Sequence, residues 1–222
     1  MVNSHAFHTF RSLPSRLSAL DVMTDAPVIP VIVLEDVAHA IPMAKALVAG
    51  GVRVLEITLR TPAALQCMRE IAAAVPGAVV GAGTVCNPAQ AALAVQAGAR
   101  FLVSPGYISP LGAAAHDLGV PLLPGVATGS EVLQVLADGL GAAKFFPAVP
   151  AGGVAMLSAF SGPFAELAFC PTGGINPQNA KDFLALPNVR CVGGSWLTPP
   201  KLMAQGDWAA ITALALASRG LR

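Results

Sequence analysis

The chain has 222 residues, 55% of them hydrophobic and only 11% charged. That suits one large core with few charges left for its outside, so some apolar surface is expected to lie under a partner subunit. A formal net charge of +1, with no lysine or arginine cluster, excludes the electrostatic footprint of a nucleic-acid or anionic-membrane binder. Two long charge-free stretches, 71–99 and 145–165, are broken by Pro76, Gly77, Gly81, Gly83 and Pro88 and by Pro147, Pro150, Gly152 and Gly153. A membrane-spanning helix wants about 20 continuous apolar residues, so both stretches read as strand, loop and helix of a buried α/β core.

Residues 1–20 carry Arg11, Arg16 and several serines with no acid. They read either as a transit peptide or as a short N-terminal helix closing one end of the domain, and no apolar signal core follows them. Beyond them, strand-length apolar runs recur at 28–34, 53–59, 78–81, 100–103, 121–123, 142–146, 167–170 and 189–192. Helical stretches alternate with them at 37–49, 62–75, 88–97, 109–118, 130–138, 153–160 and 177–185, and a last helix is expected at 207–218. Pro62, Pro88 and Pro177 fall in first helical turns, where the missing N–H costs nothing. Gly50, Gly98, Gly119 and Gly139 fall where helices stop. This alternation implies parallel βαβ units, in a closed barrel or an open doubly wound sheet. No GxGxxG follows the first strand, and the spacing is tight and even, so the expectation is a single-domain (β/α)8 TIM barrel spanning 1–222. The four cysteines, Cys67, Cys86, Cys170 and Cys191, show no CxxC spacing and read as small core residues of a cytoplasmic protein.

In such a barrel the working site lies at the C-terminal strand ends. Lys45, Lys181 and Lys201 fall in or beside helices, whereas Lys144 sits inside the sixth strand. Burial there disfavours the ammonium form, and a neutral amine is what attack on a carbonyl needs. The alternative is a strand-end lysine in a structural ion pair. In the second strand Glu56, Thr58 and Arg60 share one face. Leu55, Ile57 and Leu59 on the other face should meet the helices, so the polar face is expected in the barrel interior, where a buried Glu56 suits a base and a buried Arg60 an anion clamp, or the two form a structural ion pair. Thr84 after the third strand is a hydrogen-bond donor to substrate or a turn residue. Ser104-Pro105-Gly106 shapes a pocket wall or simply a turn. The seventh strand runs into Thr172, a pocket candidate, then Gly173-Gly174. The eighth runs into Gly193-Gly194-Ser195. Glycine pairs after these two strands suit a phosphate, or ordinary turns. His5, His8, His39 and His116 have no metal-ligand spacing, so neither a metal nor another cofactor is expected. Without a metal, a lysine imine is the economical electron sink for carbon–carbon cleavage beside a ketone.

Six segments resemble bacterial 2-keto-3-deoxy-6-phosphogluconate (KDPG) aldolases: Pro42–Leu47, Leu55-Glu56-Ile57-Thr58-Leu59-Arg60-Thr61, Gly81-Ala82-Gly83-Thr84-Val85, Lys144-Phe145-Phe146-Pro147-Ala148, Cys170-Pro171-Thr172-Gly173-Gly174-Ile175 and Gly193-Gly194-Ser195-Trp196. The resemblance covers about 28–208. It implies that Lys144 forms the Schiff base and Glu56 is the acid/base. It implies that Arg60 and Thr84 hold the pyruvate carboxylate, that Pro105, Phe146 and Thr172 line the pocket, and that Gly173, Gly174, Gly194 and Ser195 hold phosphate. It further implies a cytoplasmic homotrimer whose partner is a phosphorylated keto acid, cleaved to pyruvate and glyceraldehyde 3-phosphate, with 4-hydroxy-2-oxoglutarate as a further candidate substrate. A preference for the galactonate epimer, a phosphosugar isomerase or epimerase, and a non-catalytic ligand-binding barrel remain alternatives. Two loops depart from the family pattern, Ala148–Ala151 and Pro105–Ser109. The aromatic Tyr107 in the second is expected to alter the pocket mouth.

Overall fold

The computed structural model describes residues 17–222, so the transit-peptide reading, with Arg11 and Arg16, lies outside the described residues. Helix α1 (Ala19–Thr24) leads into β1 (Val28–Ile32), a 3-10 turn (Val37–His39), α2 (Ala40–Ala49), β2 (Val54–Thr58), α3 (Ala64–Ala74), β3 (Val79–Gly83), α4 (Pro88–Gln96) and β4 (Leu102–Val103). Then come α5 (Ser109–Asp117), β5 (Leu122–Leu123), β6 (Gly125–Val126), α6 (Gly129–Ala137), β7 (Ala142–Phe145) and α7 (Gly153–Phe160). The chain ends with β8 (Ala168–Pro171), α8 (Ala180–Leu184), β9 (Val192–Gly194), α9 (Pro200–Gln205) and α10 (Trp208–Arg219).

All strand pairs are parallel, in the orders β5-β4-β3-β2-β1-β9 and β6-β7-β8. Two features join these sheets into a (β/α)8 barrel. Pro124 links β5 to β6 directly. Bridges Phe169↔Val189 and Thr172↔Gly193 connect β8 with the last strand segment. The sequence pattern places the fifth strand at 121–123 only; the structure resumes it beyond Pro124 as β6, a segment that pattern leaves out. Proline has no N–H for a ladder, so β5 serves β4 while β6 serves β7, and the Pro124 carbonyl accepts from Lys144 N at 2.8 Å.

Side-chain alternation divides the core in two. Leu55, Ile57, Val80, Ala143 and Phe169 face the helices. Ile29, Val54, Val79, Phe101, Ala142, Ala168 and Cys191 fill the barrel interior. Gly81 is part of that filling, because a Cβ there would overlap the Phe101 ring. Val22 and Met23 of α1 join the interior cluster, together with Leu17, so this helix seals the N-terminal floor. Its start is fixed by a Ser18–Asp21 capping box, and an Asp25–Arg53 ion pair ties its end to the edge of β2. Gly50 caps α2 where the helix is expected to stop and packs closely against Ala215, and Gly51 after it takes the left-handed backbone (φ +83°). Two sequence readings need correction. Cys86 is exposed, unlike the three buried cysteines. The helix expected from Pro177 begins only at Ala180, after Asn176 and Asn179 side chains have bonded the intervening backbone. Among the described residues no helix is long and apolar enough to cross a membrane.

At the start of α6, Glu131 accepts from the N–H groups of Ala127 and Thr128 at 2.8 Å each. Burial pushes this carboxyl up, but those bonds and the Thr128 hydroxyl outweigh it and hold it below its ordinary 4.5. A depressed carboxyl stabilises the fold above its unfolded value and loses that contribution as pH falls through the folded one. Urea melts of the wild type are therefore expected to weaken more steeply than those of Glu131→Gln as pH drops below 4.5. Equal slopes would remove the cap from this account.

Candidate active site

Lys144 lies on β7 two residues after the interior Ala142, and its side chain points into the barrel, 3% exposed. Glu56 lies on β2, also 3% exposed. Its Oε1 is 3.4 Å from Lys144 Nζ, a long bond that leaves the amine room to move. Their meeting depends on missing side chains. Gly83 has no Cβ where Glu56 Oε1 and its carboxyl carbon stand. Gly125, in register with Lys144 on β6, leaves space that the Pro105 backbone enters from the β4 loop. The Phe146 ring centroid is 5.1 Å from Nζ, within cation–π distance. Cys170 stands in register with Lys144 on the other side and completes the pocket floor. Neither Gly125 nor Cys170 is singled out by sequence reasoning. The signal is small residues at alternate, inward positions of neighbouring strands.

Arg60 stands at the mouth and is exposed, against the expectation of a buried arginine. Strand β2 ends at Thr58, whose hydroxyl donates to the Ile32 carbonyl at 2.8 Å, and two residues further the chain has reached solvent. Arg60 Nε donates to Thr84 Oγ1 at 3.1 Å, so the two groups expected at one carboxylate are brought together. Thr84 has φ +60°, a left-handed backbone that a β-branched residue rarely adopts and that clusters at functional sites. The Cys86 thiol donates to its carbonyl at 3.4 Å.

Thr172 is buried, its side chain filling the space above Gly193. The next three peptides are clamped by their carbonyls. Thr172 O accepts from Ala148 N at 2.8 Å, Gly173 O from Val149 N at 3.0 Å, and Gly174 O from Asn179 Nδ2 at 3.0 Å. In a trans peptide the N–H points opposite to the carbonyl. The N–H groups of Gly173, Gly174 and Ile175 therefore turn away from those partners, as an anion nest requires. Gly173 (φ +103°) and Gly174 (φ +79°) adopt the left-handed backbone this needs. Gly194 has a different reason to be glycine: it is buried, and the Trp196 ring occupies the place of a Cβ. Ser195 is exposed beside a cavity of about 380 Å³ that also borders Val31, Val33 and Met203. Tyr107 does not enter the mouth. It turns outward to Asp138, which corrects the expectation drawn from its size.

The arrangement supplies an amine in a dry interior, a carboxyl in reach of it, a guanidinium and hydroxyl at the rim, and a backbone anion site opposite. The family model for KDPG and KHG aldolases matches residues 20–214. The KHG/KDPG aldolase of Escherichia coli K12 is 54% identical over 200 residues, 90% of this chain and 94% of that protein. The KDPG aldolase of Legionella pneumophila, solved with pyruvate captured at low pH as a covalent carbinolamine, superposes with TM-score 0.88 at 47% identity, covering 90% of this chain and 97% of that one. The Zymomonas mobilis ZM4 enzyme, solved with 3-phosphoglycerate, gives 0.87 at 48%, covering 92% and 96%. On a match that takes in Lys144, Glu56 and both glycine pairs, this chain belongs to the KDPG and KHG aldolase family.

Proposed function

We infer that this chain is a Schiff-base aldolase that cleaves 2-dehydro-3-deoxy-6-phosphogluconate to pyruvate and glyceraldehyde 3-phosphate, and that 4-hydroxy-2-oxoglutarate is a second substrate of the same site. The observation that carries the reading is the buried Lys144–Glu56 pair at 3.4 Å. A buried ion pair gives little net stability compared with apolar packing, so its presence in an apolar interior favours chemistry over structure. Lys144 in its neutral form attacks the C2 ketone, and loss of water leaves a protonated imine. Glu56, directly or through a water, takes the proton from the C4 hydroxyl. The C3–C4 bond breaks, its electrons pass to the imine as an enamine, and the aldehyde leaves. Protonation at C3 and hydrolysis free pyruvate and regenerate the amine. Arg60 and Thr84 hold the carboxylate, the guanidinium fork suiting its two oxygens. Pro105, Phe146 and Thr172 line the pocket. Phosphate sits at Gly173, Gly174 and Ser195, with Gly194 shaping the turn that presents Ser195. We also read the enzyme as a cytoplasmic homotrimer. Exposed Val33, Ile108 and Val149, at 43%, 50% and 46%, are the kind of apolar surface an assembly covers.

Borohydride added in the presence of pyruvate is expected to attach one three-carbon adduct, mapping to Lys144. Full cleavage activity in Lys144→Ala would end the Schiff-base reading. Glu56→Gln is expected to lower turnover by at least about 100-fold while pyruvate trapping falls far less. Gly83→Ala, which displaces the Glu56 carboxyl by steric overlap, should reproduce that split. Matched losses of turnover and trapping would make Glu56 a group that only positions the amine. Ser195→Ala should raise KM for the phosphorylated substrate by about tenfold, the scale of one lost hydrogen bond to a charged group, and leave 4-hydroxy-2-oxoglutarate kinetics unchanged. Equal effects on both substrates would move the phosphate elsewhere.

A further inference from the structure

The loop after β4 carries a device that the chemistry above does not use. Tyr107 Oη donates to Asp138 Oδ2 at 2.7 Å, joining this loop to the end of α6 across 31 residues of chain. Gln134 Nε2 donates to both Asp138 oxygens at 3.2 and 3.3 Å and to Ser109 Oγ at 3.3 Å. Hydrogen bonds from Ser109, Tyr107 and Gln134 hold the Asp138 carboxyl below its ordinary value, while burial and Asp138 push the Tyr107 phenol up. At neutral pH the tie is a phenol donating to a carboxylate, a strong combination. The Tyr107 hydroxyl end also lies against Gly112 of α5, where a Cβ would overlap it. The phenol is thus seated in a notch, not draped over the surface.

The inner end of the same loop forms the pocket wall. The Pro105 carbonyl group occupies the space above Gly125, and Gly125 is in register with Lys144. Between these points Gly106 is exposed and nothing lies within 4 Å of its Cβ position, so no side chain packs over the outer face of the stretch. The segment is held from inside at Gly125 and from outside at Tyr107. With the outer tie released, the Pro105–Gly106 backbone is free to lift from Gly125 and widen the wall beside the amine.

We propose that Tyr107 and Asp138 form a positioning clamp that holds the Pro105–Gly106 wall against Gly125 and so sets the substrate's fit beside Lys144. The clamp touches no reacting atom, and its role rests on the aldolase reading of the site. The test is a double-mutant cycle on Tyr107→Phe and Asp138→Asn, followed in kcat, KM, pyruvate trapping and Tm. Phenylalanine keeps the ring in its notch and removes only the donor. Each single variant should lower kcat/KM for cleavage by up to about tenfold, as misplacement of a substrate wall does. The loss should fall mainly on KM, and the double variant should lose no more than either single one. Pyruvate trapping should persist, because Arg60 and Thr84 lie on the separate loops that follow β2 and β3. A cycle that shows coupling in Tm with kcat/KM unchanged would overturn the proposal, as would additive losses. A wild-type chain that fails to trap pyruvate would instead overturn the Schiff-base reading, and with it the site this wall serves.

Discussion

Everything at this site depends on one amine and one carboxyl held 3.4 Å apart in an interior that water barely reaches. Each ion alone is costly there, and the pair repays its desolvation only partly. On the proposed reading the amine attacks the carbonyl and the carboxyl beside it moves the protons, so the same two groups would serve imine formation and imine hydrolysis alike.

The barrel makes that closeness possible by filling one end of its interior and emptying the other. Below the pair, Phe101, Val79, Ile29 and the α1 residues Val22 and Met23 form a solid floor. Above it, Gly83, Gly125 and Gly193 withdraw their side chains, and Glu56, the Pro105 backbone and Thr172 move into the vacated volume. Close packing at native density leaves little tolerance for an added methyl group in such positions. Glycine at these points is therefore part of what brings these groups together.

Much of this was legible in the chain. Eight apolar runs separated by helix-length segments give the barrel, and the strand-end rule then selects Lys144, Glu56 and the glycine pairs. What was not legible is where alternation stops. Glu56, Thr58 and Arg60 read as one face, but the strand ends at Thr58 and Arg60 lies beyond it in solvent. Pro124 breaks the fifth strand through a missing N–H, which a run of apolar residues conceals. Tyr107 looks like a mouth residue by sequence position, yet its direction is set by Asp138, 31 residues away. Local pattern fixes which residues face inward along a strand. It does not fix a loop side chain whose partner is distant in the sequence.

On the proposed reading, the two anionic ends of the substrate would meet groups of different kinds. At the proposed carboxylate end stands a full charge, Arg60, exposed and tethered to Thr84 by one hydrogen bond. Free, it is well solvated and contributes little; with a carboxylate between it and the dry interior, water leaves and the interaction strengthens. At the proposed phosphate end stand backbone N–H groups fixed by three engaged carbonyls, with the exposed Ser195 hydroxyl beside them. These dipoles require no side-chain ordering on binding and place no second full charge in the barrel mouth. A lysine or arginine there would bind phosphate more tightly, but equally in substrate and in product aldehyde, and uniform binding of that kind slows release without lowering the barrier to bond cleavage.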